Sequence, residues 1–82
     1  YSDLGEHAEA LKFYQQALAI NQEIGDRNGE GNILNHIGLV YFSTGQYAKA
    51  LETFQLSLEI SKEISDRQGE GALFNNIGDV YI

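Results

Sequence analysis

Residues 34–54 read LNHIGLVYFSTGQYAKALETF. Leu34, Ile37, Gly38 and Tyr41 follow one another at helical spacing, and Tyr47, Ala50, Leu51, Phe54 and Leu58 do the same after the break at Gly45. Nothing alternates with a period of two, so a pair of helices is expected and strands are not. Gly45 suits the left-handed residue that closes a helix. Gly38 sits inside its helix, where glycine costs up to about 1 kcal/mol relative to alanine. Such a cost implies a close helix crossing at which a Cβ would clash, with Ala50 as the natural small partner. Tyr41 and Phe54 are large enough to fill the space between the helices.

Moving outward from this stretch, the chain repeats itself. When 1–42 is laid on 41–82, 20 of the 42 pairs are identical, among them Gly5/Gly45, Ala10/Ala50, Asp26/Asp66, Arg27/Arg67, Asn35/Asn75, Gly38/Gly78 and Tyr41/Tyr81. A repeat of 40 residues marks an array in which each unit buries its apolar face on its neighbours. Asp26 and Asp66 are good N-caps, each able to place a carboxylate over the first free amides of the next helix. The spacing predicts helices over 6–24, 27–42, 46–64 and 67–82, with Gly5 ending an earlier one. Ile60 and Ile64 add a second apolar row to the third helix, which should therefore contact two neighbours. The connections are only a few residues long, so successive helices should pack antiparallel.

Ordered in this way, Leu34, Ile37, Gly38, Tyr41, Ala50 and Phe54 resemble the tetratricopeptide repeat. Its first helix carries a bulky residue, Leu-Gly and Tyr, and its second carries Ala and Phe. Phe74, Ile77, Gly78 and Tyr81 repeat the first-helix pattern, and Ala10 and Tyr14 the second. The resemblance covers the whole chain. It departs in its period, 40 residues against about 34 for the common repeat, and in lacking the closing Pro. The run Asp-Arg-x-Gly-Glu-Gly is similar to the long-period subclass found in kinesin light chains and Pins/LGN-type adaptors. The resemblance implies an all-α fold, antiparallel helix pairs stacked as a right-handed solenoid, with first helices lining a concave groove that holds extended peptides. In this phase the chain runs second helix, first, second, first, and only 27–64 is a complete pair. The opening residue, Tyr1, suggests a piece of a longer chain, so a missing signal peptide carries no information.

Composition narrows the partners. Five basic against twelve acidic residues leave a net charge of −7, which disfavours nucleic acid and anionic membranes. A neutral or mildly basic protein or peptide is easier to accommodate. The chain has no Cys, which removes disulfide, zinc-ribbon and thiol chemistry. A cytoplasmic location and no cofactor are the expectations.

Asp26-Arg27-Asn28-Gly29-Glu30-Gly31 begins like a calcium loop, but the twelfth position, which needs a bidentate Glu, holds Ile37. An N-cap followed by a helical turn explains the run better. Arg27 and Arg67 are expected to pair with Glu23, Glu30, Glu63 or Glu70 rather than with a ligand. His7 and His36 do not recur and lack the convergent ligands of a metal site, and no residues are candidates for catalysis. Asn35 and Asn75 lie opposite the Leu34/Ile37/Tyr41 stripe, on a side shared by Asn32, His36, Leu39, Phe42, Asn76 and Asp79. An Asn amide offers both a donor and an acceptor to a peptide backbone, so these eight residues are the expected groove, with Leu39 and Phe42 either its apolar anchors or buried against the next repeat. The competing reading has the Asn residues bridging neighbouring helices. The expected function is a protein-interaction scaffold. The alternatives are a self-associating structural unit, using the open repeat ends to form a homo-oligomer, and a regulatory segment of a larger protein.

Overall fold

The computed structural model describes residues 3–81, with side chains from residue 5 onward; there the chain forms four α-helices and no strand. They are α1 (Asp3–Ile24), α2 (Arg27–Ser43), α3 (Tyr47–Glu63) and α4 (Arg67–Tyr81). Each packs on its neighbour in sequence, and α2 also touches α4. The resulting slab measures 39 × 32 × 17 Å. This is a helical-repeat stack, as the 40-residue period implies.

The three turns share one construction. Asp26 N–H bonds the Asn21 carbonyl, Gln46 N–H that of Tyr41, and Asp66 N–H that of Ser61, each at 2.8 Å. The residue before each donor is left-handed: Gly25 (φ 76°), Gly45 (φ 79°) and Ser65 (φ 60°). This arrangement satisfies the last carbonyls of the outgoing helix and stops it. Gly5, expected to end a helix in the same way, instead lies inside α1. The carbonyls that close the turn at Gly45 belong to Tyr41 and Phe42; their counterparts, Tyr1 and Ser2, lie outside the described residues, as does the expected final helical residue, Ile82.

Asp26 and Asp66 cap the helices that follow. Their Oδ1 atoms accept from Gly29 N–H at 2.9 Å and Gly69 N–H at 3.0 Å. The repeated glycines make room for these carboxylates: a Cβ on Gly29 would lie 2.6 Å from Asp26 Oδ2, and one on Gly69 would collide with Asp66 Oδ2.

Ala50, Phe54 and Leu73 form the buried centre, with Tyr41, Phe42, Leu58, Ile77 and Val80 packed around it. Leu34, Ile37, Val40 and Ile60 are also buried. The α3 helix thus contacts both α2 and α4, as its two apolar rows require. The crossing at Gly38 is close, and Phe54, expected as a large filler between the helices, is the group nearest the glycine. A Cβ there would lie 2.5 Å from the Phe54 ring, and the three nearest atoms all belong to that ring. At the equivalent Gly78 no atom lies within 4 Å. Tyr81 and Phe74 on the same helix are exposed while Ile77 packs on the buried centre, so the repeat motif is less covered in α4 than in the α2–α3 copy.

Candidate binding face

The face begins where α2 and α4 meet. Both are amphipathic helices whose apolar sides turn towards α3, which leaves their Asn-bearing sides next to each other. Asn76 Nδ2 donates to Asn35 Oδ1 at 2.9 Å, across 41 residues of sequence. This bond ties α2 and α4 together and leaves Asn35 half-buried. Asn32 and Leu39 on α2, and Asn75 and Asp79 on α4, stand exposed. Of the eight expected groove residues, the bond places Asn35 and Asn76 at this seam.

Two of the others are engaged elsewhere. His36 stacks on Tyr14 of α1, with ring centroids 5.5 Å apart and planes 12° from parallel. Phe42 packs against the buried centre and lies 5.6 Å from the Tyr47 ring. Helical spacing put both on the groove side, but it could not show that α1 and the start of α3 reach round to meet them.

Beneath the seam is a small polar hollow of about 20 Å³, lined by Asn28, Asn32, Asn35, Ser57, Ser61 and Asp66, with Gly31, Ile64, Gly69 and Leu73. It has room for roughly one water molecule. One of its walls is fixed by Ser57, which is buried and donates its hydroxyl to the Gly31 carbonyl at 2.7 Å. A second opening, missed in the sequence, is a cleft of about 320 Å³ between α1 and α3. Leu18, Leu34, Leu56 and Ile60 form its floor, and Gln22, Arg27, Glu30, Glu59 and Glu63 its rim. Leu56 gave no signal because the other copy holds Gln16 at that position.

The lysines are confined to α1 and α3: Lys12 lies on α1, and Lys49 and Lys62 on α3. Arg27 begins α2 and is held by two carboxylates. Its Nη1 donates to Glu30 Oε1 at 2.9 Å and its Nη2 to Glu63 Oε1 at 2.6 Å, with Nε reaching Glu63 Oε2 at 3.3 Å. The bonds to Glu63 and Glu30 raise the Arg27 pKa further, and the Arg27 bond holds Glu63 below the usual carboxylate range. The expected pairing of Arg27 is thus present, and it fastens the start of α2 to the end of α3.

Among the described residues no three His, Asp or Glu side chains gather into a metal-holding group, and no helix is long and apolar enough to cross a membrane. The tetratricopeptide repeat profile matches residues 1–63 and, in a second register, residues 30–82. No curated protein matches the chain. Four helices in two 40-residue copies, with the Gly38–Phe54 crossing at their centre, are accounted for by that match: the chain belongs to the tetratricopeptide repeat family.

Proposed function

We propose that the α2–α4 face binds an extended peptide or protein segment. Repeats of this family generally mediate protein–protein interaction and act as non-enzymatic scaffolds. The observation that carries the finer reading is the Asn35–Asn76 bond. It aligns two first-type helices so that Asn32, Asn75 and the remaining Asn35 amide can pair with a peptide backbone, while exposed Leu39 offers an apolar contact. The same bond is also what a purely structural bridge would look like, so support for a ligand comes from the exposed residues beside it. Asp79 on the face and the net charge of −7 favour a neutral or mildly basic partner over an acidic one. Neither nucleic acid nor an anionic membrane suits such a surface. The 40-residue period and the Asp-Arg-x-Gly-Glu-Gly runs are consistent with the long-period, kinesin-light-chain-like subclass.

The test is a selection from a random peptide library, followed by calorimetry of the best binders against the wild type and Asn75→Ala. Asn75 is exposed and joins no bond that holds the fold. Weakening of about fivefold or more, the loss of one or two net hydrogen bonds, supports the proposal. Equal affinity for both proteins contradicts it.

A further inference from the structure

The α1–α3 cleft takes no part in the face proposed above, and its lining falls between Leu18 and Glu63. Among the described residues α1 and α3 do not pack on each other; each packs on α2. Two polar ties fix which way the three helices run. Gln22 near the end of α1 donates to Glu30 near the start of α2 at 3.3 Å, and Arg27 joins the start of α2 to Glu63 at the end of α3. α1 and α3 are therefore parallel to each other and antiparallel to α2. One end of the cleft holds the polar groups of Gln22, Arg27, Glu30 and Glu63, and the other holds Leu18, Leu34 and Leu56. Leu56 is 48 % exposed there, although its neighbour on the floor, Ile60, is buried. Charge along the rim is unbalanced. Among the lining residues Arg27 is the one cation against three carboxylates, Glu30, Glu59 and Glu63, which leaves −2. Glu30 and Glu63 share Arg27, and Glu59 has no ion-pair partner among the described residues. Glu59 stands on α3 one turn beyond Leu56, so an apolar seat and an uncompensated carboxylate lie side by side.

We infer that the cleft docks a helical segment of a partner protein, one that carries a leucine or isoleucine and, one turn away, a lysine or arginine. The apolar side chain sits on Leu18, Leu34 and Leu56, and the cation pairs with Glu59. A helix presents two such side chains on one face at this spacing. The α3 wall from Leu56 to Glu63 gives it a bed of two turns, about 10 Å. The volume of about 320 Å³ admits the inserted side chains, with the partner's backbone lying over the opening. Charge selects the partner. A second copy of this chain is a poor occupant, because each copy carries a net charge of −7. A basic amphipathic helix is drawn to the rim and meets its apolar contact within it.

The probe is an alanine-based helical peptide of about 16 residues, long enough to hold its helix, with a Leu and a Lys four residues apart. A helical probe is chosen because the α2–α4 face is proposed for an extended segment. Titrated into the 82-residue chain, it should shift the methyl resonances of Leu18, Leu34 and Leu56 to saturation and leave the Asn32 and Asn75 amides unmoved. Asn75→Ala should not change its affinity. α1 carries Gln16 and Ala19 at the positions equivalent to Leu56 and Glu59, so Leu56→Gln and Glu59→Ala introduce residues that such a helix already accepts. Circular dichroism checks that both variants keep the fold. Leu56→Gln should weaken binding about tenfold through lost apolar contact. Glu59→Ala should weaken it about two- to fivefold, an effect that high salt removes. Exchanging the peptide's Lys for Glu should cost more affinity with the wild type than with Glu59→Ala. No saturable shift, equal affinity for Leu56→Gln, or a charge exchange felt equally by wild type and Glu59→Ala would each overturn the inference. Shifts confined to Asn32 and Asn75 would also overturn it, while leaving the α2–α4 reading standing. Leu56 resonances that move as the protein alone is concentrated would make the occupant a second copy, and would overturn it likewise.

Discussion

The Phe54 ring lies so close to the Gly38 backbone that a methyl group placed on Gly38 would sit 2.5 Å from the ring edge. Phe54 is fully buried, so the ring cannot move aside without disturbing Ala50 and Leu73. This one contact explains a glycine in mid-helix, the order of the motif and the separation of α2 from α3.

Gly38→Ala and Gly78→Ala should therefore differ in sign. Alanine favours the helix at both positions by about 1 kcal/mol. At Gly38 the overpacking, about 1–3 kcal/mol, outweighs that gain, and the variant should be less stable. At Gly78, where no atom lies within 4 Å, the variant should be more stable in dilute solution. Urea titration followed by circular dichroism reads both; a Gly38→Ala variant as stable as the wild type would contradict the crossing.

Ser65 holds the left-handed turn position that glycine occupies in the other two turns. A side chain there costs about 1 kcal/mol relative to glycine. Ser65→Gly should accordingly raise the urea midpoint, less the small entropic cost of the added chain freedom. A lowered midpoint would mean that the Ser65 side chain stabilises the turn in a way its backbone geometry does not explain.

The Arg27–Glu63 pair should give stability a specific pH dependence. The folded pKa of Glu63 lies below its ordinary value. The pair's contribution is thus fully present above the ordinary carboxylate pKa and is lost as the pH falls through the lowered one. The thermal midpoint of the wild type should exceed that of Glu63→Gln at neutral pH, and the two should converge in acid and in high salt. A difference that persists at low pH would assign the effect to packing of the side chain instead.

What the sequence showed and what it hid divide along a physical line. Periodicity reports which residues of a helix face inward, and the 40-residue identity reports how helices recur; both depend on local backbone geometry. The four helices, the Asp26 and Asp66 caps and the buried stripe were therefore legible. Which neighbour a residue meets depends on how helices cross, which spacing does not encode. That is why spacing could offer Phe54 as a filler without showing its ring against Gly38, and could offer Asn35 as a groove residue or a bridge between helices without naming Asn76 as its partner. His36 on Tyr14 and the α1–α3 cleft were hidden for the same reason. Leu73, nearly fully buried, was overshadowed by the more conspicuous Phe74 beside it.

The lysines lie on α1 and α3, Arg27 at the start of α2 is already paired, and Arg67 stands at the first position of α4, at the rim of the face. A clamp for an acidic C-terminal tail would need cations within the α2–α4 face. Such tails should bind no tighter than about 1 mM, whereas neutral or mildly basic peptides selected from a library should bind more tightly. Calorimetry with both classes distinguishes them, and micromolar binding of an acidic tail would count against the charge argument.

The most direct test of a peptide-binding α2–α4 face is a nuclear magnetic resonance titration that follows the side-chain amides of Asn32, Asn35, Asn75 and Asn76 as a selected peptide is added. These amides should shift together, saturating at one affinity, along with Leu39. Shifts confined to Leu18, Leu56 and the rim of the α1–α3 cleft, with the four Asn amides unmoved, would contradict it.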